Sequence, residues 1–192
     1  MTESSSTRPP ILVTGPARSG KSEWAEQLAM RSGKSVTYIA TAQVNPDDAE
    51  WQARILQHQR RRPPHWKTIA APLDLLPVLQ SSTLFDCLLI DSLGTWLANV
   101  LDQDEATWEQ TVQVLLAELE QTSSLVILVA EETGWGVVPA YPIGRLFRDR
   151  LGALTRQIGQ MADPVYLVTG GHVLNLSELG RPLHKSFNVG DE

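Results

Sequence analysis

Eight consecutive residues near the start of the chain constrain its fold most, because they form the pattern G-x-x-x-x-G-K-S. They are Gly15, Pro16, Ala17, Arg18, Ser19, Gly20, Lys21 and Ser22. The apolar run at 11–14 predicts a strand before the pattern, and helical spacing of apolar residues predicts a helix after it. In that context the loop N–H groups and the helix N-terminus form a polyphosphate site. We therefore predict a nucleoside triphosphate site in which Lys21 contacts the β- and γ-phosphates and Ser22 binds Mg²⁺.

The composition limits the possible partners of the chain. With 192 residues, of which 42% are hydrophobic and 20% charged, it fits one globular domain. A net charge of −6 argues against nucleic acid as the main partner, and no apolar run reaches the ~18 residues of a membrane span. The single cysteine, Cys87, lies in an apolar run. This predicts a buried structural thiol and a cytoplasmic setting.

Short apolar runs alternate with helix-like stretches along the chain. The alternation predicts an α/β fold, a P-loop NTPase-type mostly parallel sheet with helices on both faces. We expect a flexible N-terminal tail at 1–10, one domain at 11–176 and a polar C-terminal tail at 177–192. Strands are predicted at 11–14, 36–40, 86–91, 125–130 and 164–169, with weaker candidates at 67–71 and 172–176. Helices are predicted at 20–32, 47–61, 93–101, 105–121 and 143–161.

Acidic residues follow two of the predicted buried strands. Ligands of such sheets bind at the carboxyl ends of the strands. Asp91 stands at the end of the strand at 86–91, where it would be a second magnesium anchor beside Ser22. Glu131 and Glu132 follow the strand at 125–130, where they would polarise an acceptor hydroxyl or help to hold metal. The alternative is that one of the two glutamates is solvated or pairs with a nearby arginine, Arg145 or Arg148.

A basic stretch surrounds one histidine. Asp47 or Asp48 would cap a helix on which Arg54, His58 and Arg61 lie on successive turns. Positive neighbours lower an imidazole pKa and so keep the ring neutral and nucleophilic. Arginines also collect at helix C-termini for dipole reasons, and on spacing alone a solvated basic helix end is the better interpretation.

Four segments together resemble one family, the bifunctional adenosylcobinamide kinase/adenosylcobinamide-phosphate guanylyltransferase of cobalamin biosynthesis. The resemblance runs from about residue 11 to about residue 176. The P-loop alone is shared by many proteins, whereas the histidine segment combined with the Val-Pro and Phe-Arg-Asp block is specific. The matching segments are Gly15–Ser22, Tyr38–Gln43, Arg54–Thr68 (R-I-x-x-H…R-P-x-x-W-x-T), and Glu132–Asp163 (E-x-G-x-G-x-V-P…R-x-F-R-D-x-x-G…A-D).

The resemblance implies a two-stage reaction. A nucleoside triphosphate, ATP or GTP, phosphorylates the aminopropanol hydroxyl of adenosylcobinamide. His58 then attacks the α-phosphate of GTP and carries GMP to cobinamide phosphate, so the resemblance reverses the interpretation from spacing alone. It also implies Mg²⁺ held near Ser22 and Asp91, a corrinoid substrate and a homotrimer. Beyond the P-loop, the implied nucleotide-binding residues are Thr41, Ala42, Gln43, Gln59, Arg60, Arg61, Arg62 and Asp91.

The chain departs from the family pattern at several positions. The family commonly has Glu at the position of Asp91 and Asn at the position of Glu131. This chain also has Thr155-Arg156 where the family has Asn-Gln, and Ala70-Ala71 where the family has an acidic residue. The kinase half has lost more of the expected polar residues than the guanylyl-transfer half. Two alternatives stay open: a P-loop kinase of another small alcohol, and a nucleotide-gated switch ATPase without transfer to cobinamide.

Overall fold

The structure, a computed structural model, describes residues 7–43 and 61–183. Within these residues the chain forms one sheet of seven strands in the order β3-β2-β4-β5-β1-β6-β7. The neighbouring strands are parallel except for the pair β6 and β7, which is antiparallel. The strands are β1 Ile11–Gly15, β2 Ser35–Ala40, β3 Lys67–Ala70, β4 Asp86–Asp91, β5 Leu125–Glu131, β6 Val165–Thr169 and β7 His172–Asn175.

The predicted strands are all present, including the two weaker candidates, and their observed bounds lie within two residues of the predicted ones. The predicted mostly parallel α/β sheet is confirmed. Apolar runs of this length identify strands well when both faces of the sheet are covered.

Six helices lie within the described residues. The helices predicted at 20–32, 93–101, 105–121 and 143–161 are confirmed, whereas the one predicted at 47–61 lies outside the described residues except for its last position. Two short helices, Leu76–Gln80 and Leu176–Leu179, were not predicted. The helices are α1 Lys21–Arg31, α2 Leu76–Gln80, α3 Leu93–Asn99, α4 Glu105–Gln121, α5 Pro142–Met161 and α6 Leu176–Leu179.

Apolar side chains leave the central strands alternately toward two layers of helices. On β5, Ile127 and Val129 pack toward α1, whereas Leu128 and Ala130 pack toward α3, α4 and α5. The apolar stripe of α4 belongs to this second layer, because Trp108, Val112, Leu115 and Leu119 are buried in the same cluster as Leu128. Helices of the described residues therefore cover both faces of the sheet, and ligands of such sheets bind at the carboxyl ends of the strands.

Two further sequence expectations can be compared with the structure. Cys87 is a free, fully buried cysteine in β4, and burial raises its pKa to about 11, so the thiol is structural as predicted. Among the helices of the described ranges, none combines the length and apolar character that crossing a membrane requires.

Candidate functional site

The loop between β1 and α1 has the backbone geometry of a phosphate cradle. Gly20, the N-cap of α1, has a φ of 94°, which favours glycine, and no side chain of the described residues caps the helix. A Cβ at Gly15 would lie 2.3 Å from the carbonyl oxygen of Val168, so only glycine fits where the loop leaves the sheet. The first N–H groups of α1 are therefore open toward the loop, as an anion at this position requires.

Two polar side chains in the cradle, Lys21 and Ser19, have no anionic hydrogen-bond partner among the described residues. Lys21 is 9% exposed, and among the described residues its Nζ donates only to the carbonyl oxygen of Pro16 in the same loop, at 3.2 Å. The buried hydroxyl of Ser19 has no hydrogen-bond partner within the part of the chain that the structure describes. Phosphate oxygens would satisfy both groups, because each would then gain an acceptor of high charge density.

Ser22 and Asp91 form a pair beside this loop. The Ser22 Oγ donates to Asp91 Oδ1 at 3.3 Å, which joins the start of α1 to the end of β4. A hydroxyl and a carboxylate are oxygen ligands of the kind that Mg²⁺ prefers. No group of three or more His, Cys, Asp or Glu side chains suitable for a metal occurs in residues 7–43 and 61–183. Mg²⁺ at nucleotide sites usually has only one or two protein ligands and takes the others from phosphates and water.

The exit loop of β2 is tied to the exit loop of β4. Thr41 is fully buried, and its hydroxyl donates to the carbonyl oxygen of Ser92 and accepts from the Ser92 N–H, both at 2.9 Å. The Asn99 side chain donates to the Thr41 carbonyl at 2.7 Å. Ala42 is half-buried and Gln43 is exposed. Of this predicted segment, Thr41 thus holds the loop in place, while Gln43 is accessible to a ligand.

Glu131 lies at the carboxyl end of β5 and is held by two donors. The Ser92 hydroxyl donates to Oε1 at 2.5 Å, and the Gly94 N–H donates to Oε2 at 3.0 Å. Burial raises the pKa of Glu131 above its ordinary value, whereas the Ser92 hydrogen bond and the positive charge of Lys21 oppose that rise. Glu131, Lys21 and Asp91 therefore interact electrostatically at one edge of the sheet.

Glu132 lies in a second pocket beside the cradle. Its Oε1 accepts from the Thr14 hydroxyl at 2.7 Å, and its N–H donates to the Gly15 carbonyl at 3.0 Å. Both glutamates line a cavity of about 540 Å³ between the exit loop of β5 and helix α5, together with Arg148, Thr155, Arg156 and other residues. Leu12 and Thr14 of β1, the strand that leads into the phosphate loop, also line this cavity.

The predicted alternative of a glutamate–arginine pair at this position is wrong. Arg145 donates instead to the carbonyl oxygens of Pro139 and Ala140, at 3.0 and 2.7 Å. Arg148 contacts its sequence neighbour Asp149 at 3.4 Å. These arginines are held by their own helix and the loop before it, so neither neutralises Glu131 or Glu132.

The basic stretch enters the described residues at Arg61 and docks on the phosphate-loop helix. Arg61 forms ion pairs with Glu23 at 2.7 Å and with Glu26 at 3.5 Å, both on α1. Burial raises the pKa of Glu26, and the Arg61 charge opposes that rise. The Arg62 guanidinium lies 3.2 Å from the centroid of the Tyr38 ring. The end of the basic stretch is thus fixed next to α1 and β2.

The remaining residues of that stretch with predicted roles lie outside the described residues. These are His58, Gln59 and Arg60, together with the predicted cap and the helix positions before them. Their assignments stay predictions.

Gly94 offers a test of how closely Glu131 is held. A Cβ at Gly94 would lie 2.2 Å from Glu131 Oε2, so Gly94→Ala must displace this carboxylate. We expect a loss of about 1–3 kcal/mol in the free energy of unfolding, measured with urea.

The control is Gly152→Ala in α5, where no described atom outside the helix's own backbone lies within 4 Å of the added Cβ. That change is expected to be neutral or to stabilise by up to about 1 kcal/mol. Equal effects of the two substitutions would contradict the close contact at Glu131.

Several residues of the site were assigned no role from the sequence. Ser92 is the N-cap of α3 and accepts from the Thr95 N–H, a role that a serine before an apolar helix signals locally. Tyr38 donates to Asp91 Oδ2 at 3.0 Å, and Glu26 faces Arg61. These two contacts join distant parts of the chain, so no local pattern reveals them.

The parallel sheet, the open cradle and the Ser22–Asp91 pair define a P-loop nucleotide-binding protein. A solved Pyrococcus horikoshii protein has a similar fold, with a TM-score of 0.57, 5% identity and coverage of 92% of this chain and 91% of its own. A family model described as cobinamide kinase / cobinamide phosphate guanyltransferase matches residues 11–176.

Two curated relatives agree with that match. The bifunctional adenosylcobalamin biosynthesis protein CobP of Pseudomonas aeruginosa is 41% identical over 174 residues, which cover 90% of this chain and 98% of the relative. The bifunctional adenosylcobalamin biosynthesis protein CobU of Salmonella typhimurium is 36% identical over 177 residues, which cover 84% of this chain and 96% of the relative. The chain belongs to the cobinamide kinase / cobinamide phosphate guanyltransferase family, and it is a bifunctional transferase.

Proposed function

We propose that this chain performs both reactions of its family at one nucleotide site. It phosphorylates the aminopropanol hydroxyl of adenosylcobinamide, and it then transfers GMP from GTP to the new phosphate by way of a guanylyl group on His58. The observation that carries the proposal is the docking of Arg61 and Arg62 beside the phosphate loop. Because Arg61 stands three positions after His58 in the sequence, that docking supports a histidine within reach of the bound nucleotide.

The phosphorylation step uses the loop, the Ser22–Asp91 pair and the glutamate-lined cavity. The acceptor hydroxyl oxygen forms a bond to the γ-phosphorus, and the bond from that phosphorus to the β–γ bridging oxygen breaks. Lys21 and the α1 N–H groups stabilise the negative charge on the phosphates. Mg²⁺, held by Ser22 and Asp91, would add further neutralisation of that charge.

Glu131 and Glu132 have different parts in this step. Both oxygens of Glu131 accept hydrogen bonds from Ser92 and Gly94, so this carboxylate organises the exit loop of β5. Glu132 uses one oxygen for Thr14, and among the described residues its other oxygen accepts no hydrogen bond. We assign Glu132 as the group that receives the proton of the acceptor hydroxyl.

The guanylyl step uses the basic stretch. A ring nitrogen of His58 forms a bond to the α-phosphorus of GTP, and pyrophosphate leaves. A phosphate oxygen of adenosylcobinamide phosphate then displaces the imidazole and gives adenosyl-GDP-cobinamide. The arginines near His58 provide forked donors that suit phosphate oxygens.

A product assay distinguishes this proposal from the two alternatives. Adenosylcobinamide is incubated with ATP or GTP labelled at the γ-phosphate, and in parallel with GTP labelled at the α-phosphate, and corrinoids are separated by chromatography. We expect γ-label in a first corrinoid product and α-label in a second. Phosphate release without labelled corrinoid would favour a switch ATPase. Transfer to small alcohols but not to the corrinoid would favour a different kinase. The same assay ranks ATP against GTP as phosphoryl donor.

The proposal includes a cytoplasmic homotrimer. The family resemblance predicts the trimer, and a lone buried thiol suits a reducing compartment. Five large apolar side chains are exposed within a nine-residue stretch after the exit loop of β5, which supports an assembly surface there. They are Trp135, Val137, Val138, Tyr141 and Ile143.

A further inference from the structure

Tyr38 lies between the basic stretch and the Ser22–Asp91 pair. It is 3% exposed, and its ring packs among the side chains that β2, β4 and α1 bury together. In the parallel ladder Tyr38 is opposite Leu89, and the next residue but one on β2, Ala40, is opposite Asp91. Tyr38, Leu89 and Asp91 therefore share the sheet face that α1 covers. The tyrosine hydroxyl reaches the carboxylate along this face.

The two oxygens of Asp91 have different partners. Oδ2 accepts from the Tyr38 hydroxyl at 3.0 Å, and Oδ1 accepts from the Ser22 Oγ at 3.3 Å. An aspartate at a strand end can rotate its carboxylate, since its terminal torsion is broad. A donor fixed in the sheet removes that freedom on one side. The other oxygen, Oδ1, then faces Ser22, the second proposed metal ligand.

We propose that Tyr38 is a positioning residue for Asp91, which it orients toward the metal position through its hydroxyl. This inference rests on the proposed role of Asp91 as a metal anchor. The hydroxyl is the donor in this pair because an ionised carboxylate has only acceptor oxygens, whereas a phenol carries one O–H.

Arg62 supports Tyr38 from the other side. Its guanidinium covers the ring face, 3.2 Å from the centroid, and its Nε is buried without a hydrogen-bond partner among the described residues. A cation on a ring face is attracted by the ring electrons, and it draws electron density from the phenol, which strengthens the hydroxyl as a donor. Arg62 stands four positions after His58 in the sequence. Tyr38 thus connects the histidine-bearing stretch to the anchor for the metal.

Tyr166 provides a matched control for removal of one phenolic hydroxyl. It lies on β6 and contacts α1 through Trp24, with ring centroids 5.5 Å apart. Its hydroxyl makes no hydrogen bond to the described residues. Tyr38→Phe removes the bond to Asp91 and keeps the ring under Arg62, whereas Tyr166→Phe removes a hydroxyl near the same helix without touching the anchor.

The test measures binding of Mn²⁺, which accepts the same oxygen ligands as Mg²⁺. Free Mn²⁺ is titrated by electron paramagnetic resonance in the presence of a saturating, non-hydrolysable GTP analogue. We expect Tyr38→Phe to raise the Mn²⁺ dissociation constant roughly tenfold, the effect of losing one hydrogen bond to a charged group. Tyr166→Phe is expected to leave it unchanged. In an Asp91→Asn background, Tyr38→Phe should add less than about twofold.

Each other result overturns the inference. If Asp91→Asn does not weaken Mn²⁺ binding, the proposed anchor fails and the role of Tyr38 fails with it. If Asp91→Asn weakens binding but Tyr38→Phe does not, the anchor stands and only the inference about Tyr38 is lost. An effect of Tyr38→Phe that persists in the Asp91→Asn background would show that the hydroxyl acts elsewhere. Thermal unfolding of the variants separates a general loss of folding from the change in Mn²⁺ affinity.

Discussion

A His58→Ala protein is expected to retain no guanylyl label and to lose guanylyl transfer by roughly 10⁴-fold or more, as removal of a catalytic nucleophile does. The wild-type protein, incubated with GTP labelled in the α-phosphate, should carry label that is labile in acid and stable in alkali, as expected of a phosphoramidate. His58 is the only side chain that we propose to form a phosphoramidate with the α-phosphorus of GTP.

The phosphorylation step provides an internal control for that variant. Lys21, Ser22 and Asp91 are unchanged in it, so adenosylcobinamide phosphate should still form and should accumulate. His65→Ala is the matched control, because His65 is exposed and lies in the same basic region; this variant should keep both activities and the label. Uptake of α-label by His58→Ala at the wild-type level would remove His58 from the chemistry.

Replacement of Lys21 by alanine is expected to lower the rate of adenosylcobinamide phosphorylation by roughly 10²–10³-fold. The lysine is 9% exposed, and within the described residues its Nζ donates a hydrogen bond only to a loop carbonyl. A cation in such a dry position interacts strongly with a phosphate, because little water screens the two charges. Initial rates with γ-labelled ATP or GTP measure the loss.

Lys67→Ala is the control for this second substitution. Lys67 is exposed on the edge strand β3, away from the loop, so its removal should leave the rate within about twofold. Phosphorylation by Lys21→Ala at the control rate would contradict the assigned role of the loop. If the two reactions share one nucleotide site, guanylyl transfer should also fall in Lys21→Ala.

The strands and the longer helices could be predicted from local pattern, whereas the two shortest helices could not. β4 and β5 are continuous apolar runs because helices cover both faces of the sheet. Helix α2 has five residues and helix α6 has four, so neither shows the repeat of a helical face.

The partners of charged side chains were harder to predict than the elements that carry them. One alternative paired Glu131 or Glu132 with Arg145 or Arg148, but Arg145 donates to a loop carbonyl and Arg148 contacts Asp149. Arg61 instead pairs with α1, at 38 positions from Glu23 in the sequence. Charges act across space, and the fold alone brings these groups together.

By itself, the sequence determined the phosphate loop, because its eight residues are contiguous and their effect on the backbone is local. The resemblance of dispersed segments, from the loop to Asp163, was enough to indicate the family. Only the tertiary structure decided that Tyr38 holds one oxygen of Asp91 while Ser22 holds the other. That arrangement depends on the pairing of β2 with β4 and on the packing of α1 across them. No stretch of sequence specifies these contacts alone, since each joins strands and helices that are far apart along the chain.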